Sequence, residues 1–168
     1  MREITFRGMT EDKRWVYGSL IKHRRYCCIL EHDDDDMDFP YLDADIGTID
    51  GCATPVIPET VGQFTGIKIM TDLPNGDTKA TFIYEGDIVE FEAHGYIPHI
   101  ERGVVVFNGD CFGIEYISEI ARKYGWDKSF HRIGEAGEWR DMGASGTITY
   151  TYEVIGNIHD NPELVQRG

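Results

Sequence analysis

The amino-acid sequence predicts a mainly β protein built from small, barrel-like antiparallel sheets with one or two short helices. Short runs of alternating apolar and polar residues recur between turn residues, which is typical of strands, and the 3.6-residue period of helices is almost absent. The chain has 168 residues, of which 41% are hydrophobic and 12% aromatic. That is enough to form a core without a metal or a disulfide, so we expect one domain over residues 1–168.

The N-terminal part predicts three of the eight to ten expected strands, Glu3–Arg7, Trp15–Ile21 and Tyr26–Leu30. We expect an N-terminal strand subregion over residues 1–55 and a barrel-like core over residues 56–168. Aromatic residues in predicted strands should pack in the core. They are Tyr17, Tyr84, Phe91, Phe107, Phe112, Tyr116, Tyr150 and Tyr152.

A central turn over Tyr84–Asp87 separates a strand that starts near Thr81 from a strand over Ile88–Glu92. Gly86 holds the third position of this turn, where a type II turn requires a positive φ. The turn is therefore predicted from the glycine and from the apolar runs on both sides of it.

A hairpin follows, in which Asn108-Gly109 joins Gly103–Phe107 to Asp110–Tyr116. Asn-Gly is the preferred pair of a type I′ turn, whose twist matches that of the paired strands. We therefore expect a two-residue connection at this point.

The last third predicts one helix, one long strand and a terminal turn. A helix over Ser118–Tyr124 would end at Gly125 in the left-handed conformation. The strand Thr147–Ile158 alternates well, and Gly156 within it predicts a bulge. Pro162 then suits the first position of a final helical turn.

Charge and composition disfavour several classes of protein. The chain has 30 acidic and 16 basic residues and a net charge of −14, so its surface repels nucleic-acid backbones. The basic cluster Lys22–Arg25 is typical of a solvated strand end, with a phosphate site as the alternative. No apolar run is long enough for a membrane span, and the N-terminus has no apolar signal core. We expect a soluble protein of the cytoplasm.

Neither the cysteines nor the acidic run predicts a metal site or a cofactor. The cysteines form no C-x-x-C pair and fit reduced thiols. The run Asp33–Asp38 predicts a solvated loop. A calcium loop starting at Asp34 would need a glycine where Phe39 stands, and two flanking helices. The cysteines are Cys27, Cys28, Cys52 and Cys111.

Two carboxylates at the central turn are candidates for chemistry. Glu85 and Asp87 stand two residues apart, and a carboxylate pair can act in acid–base or metal catalysis. The alternative is structural, with Asp87 capping backbone N–H groups beside the turn residue Gly86. The structural interpretation is favoured because no third polar partner can be identified in the sequence.

The segment Gly62–Gly66 predicts a strand with two different faces. Gln63 and Thr65 share one face, and two glycines flank Phe64 on the other, which indicates close packing there. A phosphate-binding loop is the alternative, but no helix start and no Lys-Ser/Thr pair follows.

The histidines do not predict a catalytic or metal site. His159 stands beside an aspartate, as an oriented base would, but no nucleophile occupies a tight elbow. Ser145 lacks the strand-to-helix setting, and His94, His99 and His131 lack metal-ligand spacing.

The sequence therefore gives candidate residues without assigning them a reaction. The candidate functional surface is Gln63, Thr65, Glu85, Asp87, Asn157 and His159. The residues expected to act only in turns and packing are Gly62, Gly66, Gly86, Gly109, Gly156 and Pro162.

Three blocks carry a family resemblance: Thr60–Gly66, Ile83–Val89 and Glu153–Leu164. Together with the opening segments Ile4–Gly8 and Trp15–Leu20 and the hairpin Gly103–Phe112, they make the chain resemble the YopX family of phage and prophage proteins. The resemblance implies a mainly β, barrel-like protein that is encoded by a bacteriophage or prophage and acts in the cytoplasm of a bacterial host. It implies no established activity. Departures from the family pattern predict insertions near residues 31–53, 69–80 and 125–146.

Three functions follow as hypotheses. The first is a non-enzymatic accessory protein that acts through contact with a protein partner or by self-association as a homo-oligomer. The second is an acidic inhibitor that imitates DNA and occupies a nucleic-acid-binding protein. The third is a carboxylate-dependent hydrolase or metal enzyme that uses Glu85 and Asp87. The charge and the lack of a catalytic constellation in the sequence favour the first.

Overall fold

The computed structural model describes residues 4–24, 26–31, 53–72, 76–93, 99–117, 122–123, 125, 130–133, 138–139, 148–149 and 151–165. In these residues the predicted mainly β class is confirmed. The strands are β1 Phe6–Met9, β2 Trp15–His23, β3 Tyr26–Glu31, β4 Ala53–Pro55, β5 Gly62–Asp72, β6 Thr78–Tyr84, β7 Asp87–Ala93, β8 His99–Phe107, β9 Phe112–Tyr116, β10 Phe130–Arg132, β11 Glu138–Trp139, β12 Ile148–Thr149 and β13 Thr151–Asn157. A 3₁₀ turn spans Pro58–Thr60, and helix α1 spans Pro162–Val165.

The chain divides into two compact units, residues 1–64 and 65–168. In the first unit the hydrogen-bonded strand order is β4-β3-β2-β1-β5, with β5 contributing its first residues. The predicted strands at residues 15 and 26 are confirmed, whereas β1 starts at Phe6 rather than Glu3. β1 pairs with β2 on one side and with β5 on the other. Phe6 of β1 lies opposite Gly18 of β2 and opposite Gln63 of β5.

The first unit has a small apolar core on one face of these strands. Val16 and Ile29 are almost completely buried, whereas Tyr17, the next residue along β2, is exposed. Because successive side chains of a strand point to opposite faces, this alternation shows that one face of β2 packs on the core. Burial also raises the pKa of the Cys27 thiol above its ordinary value. The core consists of Val16, Cys27, Ile29 and Val56, with Phe6, Leu20 and Val61 packed against it.

The 3₁₀ turn closes the end of β1 through one threonine. The Thr60 hydroxyl accepts the Met9 N–H at 2.8 Å and donates to the Ile57 carbonyl at 2.7 Å. Ile57 N–H in turn donates to the Met9 carbonyl at 2.8 Å. Both backbone groups of Met9 are thus satisfied outside the sheet ladder.

A surface contact ties β3 to β4. The Glu31 carboxylate accepts the Thr54 hydroxyl at 2.6 Å and pairs with Arg14 at 3.2 Å. These partners, the hydroxyl first, lower the pKa of Glu31. Because Glu31 and Arg14 are largely exposed, solvent screens the pair, which therefore contributes little to stability.

The second unit contains a five-stranded antiparallel sheet with the order β10-β9-β8-β7-β13. Its end strands differ, so the described strands of this sheet do not close into a barrel. The bulk of β5 pairs with β6 in the same unit. A register shift between Val154 and Gly156 confirms the predicted bulge in β13.

The core of the second unit lies on one face of the five-stranded sheet. Phe91 is central, with the rings of Tyr116 and Tyr152 each 5.7 Å from its own. The aromatic prediction holds for Tyr84, Phe91, Phe112 and Tyr152, which are buried, but is wrong for Tyr17 and Phe107, which are exposed. The buried core cluster is Ile67, Ile83, Val89, Phe91, Val105, Ile114 and Tyr152.

The hairpin between β8 and β9 differs from the predicted type I′ turn. Phe107 and Phe112 form the last pair, so four residues connect the strands instead of two. A type I′ turn needs a positive φ at both central residues, and only Gly109, at 96°, has one. The Asn108 side chain stabilises a longer loop by accepting backbone N–H groups.

The described residues of the region predicted as an irregular insertion at 125–146 form two strands. β10 extends the sheet because Phe130–Arg132 pairs with the edge of β9, and β11 pairs with β12. These short strands raise the count among described residues to thirteen, above the eight to ten expected. At the start of the 125–146 region, Gly125 has φ 77°. Its N–H donates to the Arg122 carbonyl, as expected for a residue that ends a helix.

Several predictions concern parts of the chain outside the described residues. These are the acidic run 33–38, the start of the helix at 118–121, and residues Cys52, His94, Ser145 and Tyr150. The single-domain organisation likewise stays a prediction.

Two glycines of the first unit lie so close to neighbouring atoms that a larger residue would clash with them. A Cβ on Gly18 would clash with the Leu30 carbonyl oxygen and lie 2.7 Å from its carbonyl carbon. A Cβ on Gly8 would meet the Val56 side chain at 2.9 Å, which can shift more easily than backbone. We expect Gly18→Ala to lower the free energy of unfolding by about 2–4 kcal/mol and Gly8→Ala by about 1–2 kcal/mol, measured by urea denaturation. Equal losses would contradict this ranking.

Candidate functional site

Two turns of the second unit meet where β7 begins and β13 ends. Asp87 opens β7, Asn157 closes β13, and the two residues lie directly opposite each other in the antiparallel ladder. We call this junction, formed by Tyr84–Asp87 and Gly156–Asn161, the paired-turn cluster. It brings together four of the six candidate residues from the sequence, namely Glu85, Asp87, Asn157 and His159.

The first turn is fixed by a buried carboxylate. Asp87 is only 2% exposed, and its Oδ2 accepts the Tyr84 N–H at 2.8 Å. Gly86 has φ 85°, the positive value predicted for the third position of the turn. The carboxylate therefore satisfies a backbone donor that the turn would otherwise leave buried without an acceptor.

Both backbone polar groups of Gly86 form hydrogen bonds. Its N–H donates to the Val105 carbonyl of β8 at 2.8 Å. Its carbonyl accepts the Ile158 N–H at 2.9 Å, directly after β13. The central turn is thus tied to both neighbours of β7, and the three strands are connected at one end.

The second turn is organised by the Asn157 side chain. Its Oδ1 accepts the N–H groups of His159 and Asp160, both at 2.9 Å. Its Nδ2 donates to the Asp160 carboxylate at 2.7 Å. All the polar atoms of this buried amide thus have partners within the turn itself.

Asn161 completes the cluster from the other side of the turn. Its side chain fills the space over Gly156, where a Cβ would lie 2.8 Å from its Cγ. Its Oδ1 accepts the Asn157 N–H at 3.3 Å. Helix α1 follows with Pro162 at its first position, as predicted. The sequence predicts Asn161 as the cap of this final turn. It does not predict the contact of the Asn161 side chain with Gly156, which depends on the folded turn.

The two remaining candidate residues, Thr65 and Gln63, do not belong to the paired-turn cluster. The Thr65 hydroxyl donates to the Ile83 carbonyl at 2.9 Å, so it supports β6 next to the first turn. Gln63 belongs to the first unit, where it pairs with Phe6 of β1. Gly66, expected to pack closely, is exposed and has φ 88°, so its backbone conformation explains the glycine.

The geometry of the paired-turn cluster suits backbone capping. The Asp87 carboxylate faces the protein interior, and the Asn157 amide serves its own turn. Glu85 and His159 are half-buried and make further interactions. Among the described residues, no three His, Cys, Asp or Glu side chains group so that they could hold a metal ion. The hydrolase hypothesis stays a prediction.

A separate surface of the second unit was missed by the sequence. Met70 on β5 is 62% exposed and Phe82 on β6 is 42% exposed. The Lys68 ammonium lies 4.7 Å from the centre of the Phe82 ring, so all three side chains share one face. We call this the β5–β6 face. It depends on a pairing between distant residues that no local pattern indicates.

The protein is mainly β. Two of its three sequence blocks, Ile83–Val89 and Glu153–Leu164, form the strand ends and turns of the paired-turn cluster. A model of the YopX family, described as YopX protein, matches residues 5–166. The chain belongs to the YopX family, which confirms the resemblance. Searches of curated proteins and of solved structures gave no match. No helix among the described residues is both long and apolar enough to cross a membrane.

The Asp87 carboxylate offers a direct test of the cluster. Asp87→Ala should lower the free energy of unfolding by about 1–3 kcal/mol, because the buried Tyr84 N–H loses its acceptor. Asp87→Asn keeps an acceptor oxygen and should cost less. Asp110→Ala, which removes an exposed carboxylate, is the control and should change stability by less than about 0.5 kcal/mol.

The same Asp87→Asn protein separates structure from catalysis. An activity screen with divalent metals should give equal signals for the wild type and the variant if Asp87 acts only as a cap. Activity that disappears in the folded variant would support the hydrolase hypothesis instead.

Proposed function

We propose that this member of the YopX family is a phage- or prophage-encoded accessory protein that acts by protein contact in the bacterial cytoplasm. Its partner in the first instance is a second copy of the same chain. The main observation in support of the proposal is the β5–β6 face, where the apolar side chains of Met70 and Phe82 are exposed to solvent. Exposed apolar surface of this kind is typical of protein–protein contact.

Charge supports a second copy as the occupant of this face. Each chain carries a net charge of −14, so two copies repel each other over most of their surfaces. The β5–β6 face instead presents Met70, Phe82 and the cation of Lys68. Contact through this face would therefore bring fewer negative charges together than contact through the acidic rest of the surface.

Paired apolar substitutions test this contact. Met70→Ser with Phe82→Ser should weaken self-association by about tenfold to a hundredfold, because burial of the exposed parts of the two side chains is worth about 1.5–3 kcal/mol in total. Ile100→Ser with Phe107→Ser removes side chains on β8 that are 60% and 45% exposed and is the matched control. Light scattering over a concentration series, at low and high salt, measures both.

Three results would count against the proposal. Equal weakening in both pairs would place the contact elsewhere. A wild-type chain that stays monomeric at every concentration would exclude self-association. If pull-downs from a host lysate also retrieved nothing, the proposed protein-contact function itself would be abandoned.

The charge of −14 also favours a second candidate function, an acidic inhibitor of a nucleic-acid-binding protein. Its sequence basis is the run Asp33–Asp38. Replacing Asp33 to Asp36 by serines should abolish binding to a basic, DNA-binding partner, measured by competition with DNA. Unchanged binding would exclude the run as the binding element.

A further inference from the structure

The loop between β8 and β9 places an asparagine and a glycine in open solvent. Asn108 and Gly109 are both exposed. Gly109 has φ 96°, and apart from its two chain neighbours no heavy atom lies within 4 Å of the position that a Cβ would occupy. Water and hydroxide can therefore reach the Gly109 nitrogen and the Asn108 side chain.

Two backbone donors fix the Asn108 side-chain amide. Its Oδ1 accepts the N–H of Asp110 at 3.0 Å and the N–H of Cys111 at 3.1 Å. The Asn108 N–H also donates to the Cys111 carbonyl at 3.2 Å, which closes the loop. The amide carbonyl is thus held and polarised by two donors, an arrangement equivalent to an oxyanion hole.

We propose that Asn108 is a site of self-modification, at which the folded loop promotes deamidation of its own side chain. The nucleophile is the backbone nitrogen of Gly109, the next residue in the chain, and no Cβ obstructs its approach to Asn108 Cγ. The co-reactant is water. The donors from Asp110 and Cys111 stabilise the negative charge that develops on Oδ1.

The reaction converts the Asn108 side-chain amide into a carboxylate by way of a cyclic imide. The Gly109 nitrogen loses its proton to solvent and forms a bond to Asn108 Cγ, and the electron pair of the carbonyl moves to Oδ1. The intermediate collapses when the side-chain nitrogen takes up a proton and leaves as ammonia. Water then opens the cyclic imide at either carbonyl and gives aspartate or isoaspartate. One water is consumed and one ammonia released, with no redox change.

The product changes the loop in a defined way. Each event adds one negative charge to a chain of −14. The aspartate product keeps an oxygen for the donors of Asp110 and Cys111, so the loop persists. The isoaspartate product routes the backbone through the side chain, which turns that acceptor into a main-chain carbonyl and lengthens the connection between β8 and β9.

The chain contains its own matched control for the test. Asn75-Gly76-Asp77 repeats the same three residues as Asn108-Gly109-Asp110. Trypsin should release the two segments as residues 69–79 and 103–122, and each contains a single asparagine. Both conversions can therefore be followed in one digest by mass spectrometry.

The experiment incubates the full chain at mildly alkaline pH, once folded and once unfolded in urea. In urea, Asn75 and Asn108 provide the rate of the bare Asn-Gly-Asp sequence. We expect Asn108 of the folded chain to convert about tenfold faster than Asn108 in urea, because the donors and the amide are preorganised. A folded-state rate equal to or below the rate in urea would overturn the proposal.

Discussion

The hydrogen bond from the Tyr84 N–H to the buried Asp87 carboxylate is the constraint on which the second unit depends. It allows the chain to reverse between β6 and β7 without leaving a buried backbone donor unsatisfied. Once this turn is set, the Gly86 peptide is in position to bond with both Val105 and Ile158. The turn that contains Asn157 and the start of α1 are then built against a fixed neighbour.

This constraint gives the acidic composition a specific structural role. A buried carboxylate is costly unless hydrogen bonds offset the loss of water. Asp87 meets that condition through a backbone donor, so its side chain stabilises a turn and is not part of the exposed acidic surface. The family blocks around residues 83–89 and 153–164 thus meet at one structural junction.

The parts of the fold that depend on neighbouring residues could be predicted from sequence. Gly86 requires a positive φ within its own turn, Gly156 marks a bulge within its own strand, and Pro162 begins its own helix. The parts that depend on distant residues could not be predicted. The β10 strand exists because the edge of β9 accepts it, and Lys68 lies over Phe82 only because β5 pairs with β6. The loop at Asn108 was mispredicted because a side chain competed with the local turn preference.

The contact between Gly156 and Asn161 has a consequence for how this sequence can diverge. The asparagine side chain occupies the volume that any Cβ at position 156 would need, and it also accepts the backbone N–H of Asn157. A larger residue at 156 therefore requires a smaller one at 161, and the lost acceptor must then be replaced by another group. Substitutions at the two positions are therefore expected to occur together during evolution.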